Sequence, residues 1–194
     1  MARVERVCVY CGAADRVAEP YREAARRTGT LLAKAGIELI FGGGRIGLMG
    51  LVADAALAAG GRVVGIIPGF LHGRELGHTG VSELVVVSSM HERKQRMFER
   101  SDAFVVLPGG LGTLDETLEC ITWRQLGLHD SPIVIVDVDG YWRPLTALID
   151  RTIDAGFAGE RTRSLFDIVD GPEALLAALA AAPEPRLRPA PERA

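Results

Sequence analysis

Ala103-Phe104-Val105-Val106-Leu107-Pro108-Gly109-Gly110-Leu111-Gly112-Thr113-Leu114-Asp115-Glu116 is the stretch whose reading decides the fold. It opens on five apolar residues without a polar interruption, which suits a strand buried on both faces. A Pro-Gly-Gly turn follows, and from Thr113 the pattern becomes that of an amphipathic helix running to residue 126. Strand, glycine turn and helix in that order form the unit from which parallel sheets are assembled. The same alternation extends in both directions. Strands are expected at 4–11, 37–41, 62–67, 84–88, 103–107 and 133–138, and helices at 21–35, 48–59, 90–100, 113–126 and 141–155. The expectation is an α/β fold, a Rossmann-like doubly wound parallel sheet in a single domain over 1–182. A Pro-rich tail, 183–194, offers little to bury and is expected to be disordered. Ligands of such sheets bind beyond the carboxyl ends of the strands, and the glycines of this chain cluster there.

Composition narrows the function classes. At 194 residues, 48% hydrophobic and with a formal net charge of -3, the chain fits one globular domain with a sizeable core. No apolar run approaches the ~20 residues that cross a bilayer, and the first residues lack the apolar stretch of a secretory signal, so no membrane partner and a cytoplasmic location are expected. No basic run with interleaved aromatics tracks a nucleic-acid backbone, so a small anionic ligand is the better expectation. Cys8-Val9-Tyr10-Cys11 spells C-x-x-C, but residues three apart in a strand face opposite sides. A buried structural pair is therefore expected rather than redox or metal chemistry, no second ligand pair being available for zinc.

Two glycine clusters and one arginine carry the chemistry. Gly42, Gly44 and Gly47 spell G-x-G-x-x-G between a strand and a helix. A dinucleotide site would want this after the first strand, with an acid about 20 residues on, and neither condition holds. The cluster is either a tight turn that needs unusual backbone angles or a ligand contact, and a P-loop is excluded because no Lys-Ser or Lys-Thr follows. In the second cluster the glycines would let backbone amides at a helix start approach an anion such as phosphate. Its competing reading is a capping box, with Thr113 and Glu116 satisfying the helix start. Two acids beside a phosphate would repel it, so at least one carboxylate should serve another part of the ligand, such as a positively charged transition state. Arg93 shares the apolar stripe of Met90 and Met97, and needs either an ion-pair partner or a ligand cleft. His91 lies off that stripe and is given no role.

Pro108 to Glu116, with Met90-His91-Glu92-Arg93-Lys94 and Gly42-Gly43-Gly44…Gly47-Leu48-Met49-Gly50 upstream, resemble the Lonely Guy (LOG) family of cytokinin-activating phosphoribohydrolases. The similarity runs from about 7 to 157 and takes in Trp123 to Asp130 and Asp139-Gly140-Tyr141. The resemblance implies a homodimer that hydrolyses N6-modified AMP, in some members AMP itself, to free base and ribose 5-phosphate, without metal or organic cofactor. It places the catalytic pair on Arg93 and Glu116. It places nucleotide contacts on Glu75, Arg93, Lys94, Gly110, Leu111, Gly112, Thr113, Leu114, Asp115, Glu116 and Thr122. Asp115 stands where many relatives have Glu, and Ala13-Ala14 where many have serine. Proteins of this kind are often labelled lysine decarboxylases, a label that fits badly: pyridoxal phosphate needs a Schiff-base lysine, and only Lys34 and Lys94 are present. Competing readings are general AMP salvage, a nucleotide-binding module without catalysis and, less favoured, a nicotinamide-dependent oxidoreductase.

Overall fold

The computed structural model describes residues 4–72, 77–183, 185 and 187. Seven strands form one sheet: β1 (Arg6–Tyr10), β2 (Glu38–Phe41), β3 (Val63–Pro68), β4 (Glu83–Val87), β5 (Ala103–Val106), β6 (Ile133–Asp137) and β7 (Asp167–Asp170). All pairings are parallel, in the order β4-β3-β2-β1-β5-β6-β7. The chain winds outward from β1 in one direction and then from β5 in the other, so the topological switch point lies between β1 and β5. The helices are α1 (Glu19–Lys34), α2 (Gly47–Ala58), the single turn α3 (Gly69–His72), α4 (Met90–Glu99), α5 (Leu111–Gln125), α6 (Arg143–Asp154) and α7 (Leu175–Ala181). No helix among the described residues is long and apolar enough to cross a membrane.

Side chains alternate across each strand, and the helices divide accordingly. Val7, Val9, Leu39, Phe41, Val105 and Leu107 face Leu32 of α1, Val52 of α2 and Leu175 of α7. Cys8, Ile40, Val64, Ile66, Phe104 and Val106 face Phe98 of α4, Ile121 of α5 and Ile149 of α6. The two cysteines of the C-x-x-C spelling thus enter different cores, Cys8 on the α4–α6 side and Cys11 on the other, and both are free and buried. His129 completes the second core between Phe98 and Phe104, its ring centroid 5.0 and 5.6 Å from theirs. Its Nε2 lies 2.9 Å from the Cys120 carbonyl, to which it donates.

All six expected strands and all five expected helices form, with ends shifted by one or two residues. β7 and α7 were not foreseen. β7 reads Asp-Ile-Val-Asp at an exposed sheet edge, where charge guards unpaired backbone and leaves no apolar run to see. α7 buries Leu175 and Leu179 and carries the domain to Ala181. Beyond it the Leu187 amide donates to Asp130 Oδ1 at 3.0 Å, and most of the expected tail lies outside the described residues.

Candidate active site

Backbone hydrogen bonds tie the loops at the switch point together. The Gly12 amide, just after β1, donates to the Pro108 carbonyl after β5 at 3.1 Å, and the Leu48 amide at the start of α2 donates to the Gly12 carbonyl at 2.9 Å. A methyl at Gly109 would collide with the Thr113 side chain, so the glycine lets the turn lie directly on α5. Helix α5 starts at Leu111 with Gly110 as its cap, and neither a side-chain cap nor an acid stands in its first turn. The capping-box reading therefore fails. Thr113 is the third helical residue and buried, and Glu116 lies in the second turn, too far along to reach back to the helix start. A β-carbon at Gly110 or Gly112 would meet nothing within 4 Å. Gly110, Leu111 and Gly112 at the start of this 15-residue helix are exposed, at the end of the dipole that favours anions.

The first glycine cluster is the opposite case. A methyl at Gly42 would strike the Arg93 guanidinium, and one at Gly47, whose φ is 67°, would strike the backbone of Ala13. The Gly47 amide at the start of α2 is taken by Asp15 Oδ1 at 3.0 Å, leaving that amide unavailable to a pyrophosphate. The tight-turn reading holds, and the sequence spelling of a dinucleotide site marks packing instead.

Arg93 is the side chain packed into that turn. It rises from α4, which is capped by Ser89 accepting from the Glu92 amide at 3.1 Å. Only 6% of the residue is exposed. Its Nε donates to the Ile66 carbonyl at 3.2 Å and its Nη2 to the Gly42 carbonyl at 2.8 Å. Among the described residues Nη1 has only the thioether of Met90 at 3.8 Å, a weak acceptor. Among the described residues Arg93 makes no ion pair within bonding distance, and its buried positive charge is held in place by carbonyls.

Glu116 is the acid that feels this charge. Burial pushes its carboxyl up to about 7; Arg93 and Lys94 pull it down, and Asp115 and Glu119 push it up. Those two acids are themselves tied to α4, because the Lys94 ammonium lies 3.2 Å from Asp115 and 3.0 Å from Glu119. Desolvation lowers the Lys94 pKa, but the two carboxylates outweigh it and raise it overall. The result is a carboxyl poised near neutrality behind an open anion cradle, the environment expected of a general acid or base.

Gly110 to Glu116 thus form one continuous stretch, reached from α4 by Arg93 and Lys94. Thr122 is not part of this cluster. It stands six residues beyond Glu116, about 9 Å along the helix, exposed, with its hydroxyl donating to the Leu118 carbonyl at 2.7 Å. Glu75 lies outside the described residues. Sequence reasoning missed the carbonyl acceptors of Gly42 and Ile66, which no residue-type pattern encodes, and it missed Glu119 and Tyr141. Glu119 was legible in principle, since it follows Glu116 at the i+3 spacing of one helix face.

A doubly wound parallel sheet with an exposed helix start and a half-buried acid raised toward neutrality at its switch point has the arrangement of a small-molecule site of the Rossmann-like class. The chain belongs to the Lonely Guy (LOG) family: residues 49–179 match the family model described as "possible lysine decarboxylase", and its curated relatives carry the LOG name. It is 46% identical to the cytokinin riboside 5'-monophosphate phosphoribohydrolase LOG of Oryza sativa subsp. japonica, over 89% of this chain and 71% of the relative. It is 45% identical to the cytokinin riboside 5'-monophosphate phosphoribohydrolase LOG3 of Arabidopsis thaliana, over 89% of this chain and 80% of the relative. Among solved structures, the molybdenum cofactor carrier protein of Chlamydomonas reinhardtii superposes with a TM-score of 0.69 at 21% identity, covering 92% of this chain and 97% of that one. That likeness concerns the fold alone.

Proposed function

We propose that the protein hydrolyses the N-glycosidic bond of adenosine 5'-monophosphate, N6-modified or plain, to free base and ribose 5-phosphate. The observation that carries this reading is the exposed start of α5 with the half-buried Glu116 in its next turn, a carboxyl that desolvation pushes up to about 7. The relatives named for this reaction on cytokinin riboside 5'-monophosphates support it. The amides of Leu111 to Thr113 hold the 5'-phosphate, which sets the ribose against Glu116. As the bond from C1' to the base lengthens, positive charge grows on the ribose, and the Glu116 carboxylate stabilises it. The bonding pair leaves with the base; water adds to C1' and gives one proton to Glu116, and a proton from Glu116 or solvent neutralises the departing base, which restores the carboxylate. Arg93 stays charged at any working pH and is no proton donor to the base. Its work is electrostatic: it offsets part of the desolvation that opposes ionisation of Glu116 and leaves Nη1 for substrate.

This chemistry needs neither metal nor organic cofactor. A Schiff-base lysine must lose its proton, whereas Lys94 is held as a cation by two carboxylates and Lys34 is exposed at the end of α1. We further propose that the protein acts as a cytosolic homodimer, the three buried free cysteines suiting a reducing compartment. The test is purified protein with isopentenyl-AMP and AMP in parallel, with free base and ribose 5-phosphate followed by chromatography. Release by wild type and none by Glu116→Gln is the expected result, and the faster nucleotide chooses between cytokinin activation and salvage. Nucleotide bound but left intact would refute hydrolysis, and light scattering that shows only monomer would refute the dimer.

A further inference from the structure

Tyr141 lies outside the reaction just described, yet its hydroxyl donates to the Gly109 carbonyl at 2.6 Å. Gly109 immediately precedes Gly110, the cap of α5. In a trans peptide the carbonyl and the following N–H point in opposite directions, so holding the Gly109 carbonyl fixes where the Gly110 N–H points. That fixation is needed because both residues flanking the peptide are glycines, which restrict rotation least, and no atom lies within 4 Å of a β-carbon built on Gly110. Thr113 and Gly12 abut the Cα side of Gly109 without bonding its carbonyl.

Tyr141 is itself braced. Asp139 and Gly140 turn the chain with φ of 54° and 75°, the former in a region side chains rarely adopt. Asp137 Oδ1 accepts the Trp142 amide at 2.8 Å. The Tyr21 ring meets Tyr141 edge-on at 5.4 Å and the Trp142 ring at 4.9 Å. With 37% of the residue exposed, the phenol is not a buried group forced to find any partner; water is within its reach.

We propose that Tyr141 is a positioning residue of the anion cradle: by holding the Gly109 carbonyl it aims the Gly110 N–H, together with the amides of Leu111 to Thr113, at the 5'-phosphate. The inference rests on the reading that α5 binds that phosphate. The test compares wild type with Tyr141→Phe in KM and kcat for AMP or isopentenyl-AMP, whichever is turned over, and in inhibition by ribose 5-phosphate against ribose. Losing one neutral hydrogen bond that orients a donor should raise KM and the ribose 5-phosphate inhibition constant about three- to tenfold. kcat should stay within about twofold and inhibition by ribose should not move. Unchanged KM and inhibition constants would overturn the proposal, as would a fall in kcat at constant KM, which would place the hydroxyl in the chemistry. If ribose 5-phosphate inhibits the wild type no better than ribose does, the phosphate reading itself falls, and the role of Tyr141 with it. Thermal unfolding of the variant guards against a general loss of structure, and Tyr141→Trp, which keeps a ring without the phenol, should reproduce the KM effect.

Discussion

Replacing Glu116 by Gln should stabilise the ligand-free protein at alkaline pH while abolishing its turnover. The carboxyl titrates at about 7 in place of the ordinary 4.5, chiefly because burial disfavours its charge. Its folded-state pKa is raised, so the folded form holds the proton more tightly than the unfolded chain. The associated stability is fully present below about pH 4.5 and is lost as pH rises through about 7. At pH 8 the ionised carboxylate costs the fold about 3 kcal/mol relative to a neutral side chain of the same shape, and at pH 5 less than about 1 kcal/mol. Gln is such a side chain. Urea unfolding of both proteins at pH 5 and pH 8 should therefore show a small difference at the lower pH and a gain of about 2–3 kcal/mol at the higher. In a domain of this size that gain corresponds to roughly 5–10 °C in Tm. A stability difference that does not grow with pH would refute the claim that Glu116 pays a burial penalty, and with it the account of why this carboxyl is poised near neutrality.

Three further predictions follow from the same geometry. If ionised Glu116 is the working form, kcat/KM should rise with pH through an apparent pKa near 7, and Arg93→Met should move that limb to higher pH while lowering kcat about a hundredfold or more. A limb that stays in place in this variant would uncouple the two residues. Gly42→Ala drives a methyl into the buried Arg93 guanidinium and pushes it off its two carbonyls, whereas Gly47→Ala drives a methyl into backbone at a φ of 67°. Both should lose several degrees of Tm, and the first should also lose activity, as read by calorimetry beside the activity assay. Gly112→Ala meets no atom and reduces the freedom of the unfolded chain, so it should be neutral or stabilising by about 0.5 kcal/mol. Its KM should nevertheless rise, because the methyl stands at the cradle where phosphate would lie.

The sheet was legible because strands buried on both faces must be apolar throughout, as in Ile133 to Val136 and Ala103 to Val106. The edge strand β7 escaped for the converse reason, since an edge is kept safe by the charges that erase the pattern. At α5 the letters misled. Thr113 and Glu116 have the spacing of a capping box, but Thr113 is drawn inward, buried against Gly109, and its carbonyl accepts the Thr117 hydroxyl at 2.6 Å. Glu116 is thereby released from a structural task, which the spelling alone could not reveal. Arg93 was legible as a charge on an apolar stripe, whereas its partners were not, being two main-chain carbonyls supplied by turns far away in sequence.

The two glycine clusters show why spelling and function part company. Both follow a strand and open a helix, and both satisfy the local demand for close approach, yet what approaches differs. Around Gly42 and Gly47 the space a side chain would take is filled by the protein itself, by the Arg93 guanidinium and the backbone of Ala13. Around Gly110 and Gly112 it is empty. A glycine whose missing side chain is replaced by protein contributes to the fold; one whose missing side chain faces open space contributes nothing to packing and costs conformational entropy on folding. That cost has no structural return at α5, where either position would accept alanine sterically. On the proposed function the return comes from a ligand whose oxygens approach the backbone closely, and an acid-free first turn suits an anion. Behind it, Arg93 is fixed by the first cluster, and its charge is felt by Glu116. The packed cluster thus positions the charge, and on the proposed function the open one admits the substrate.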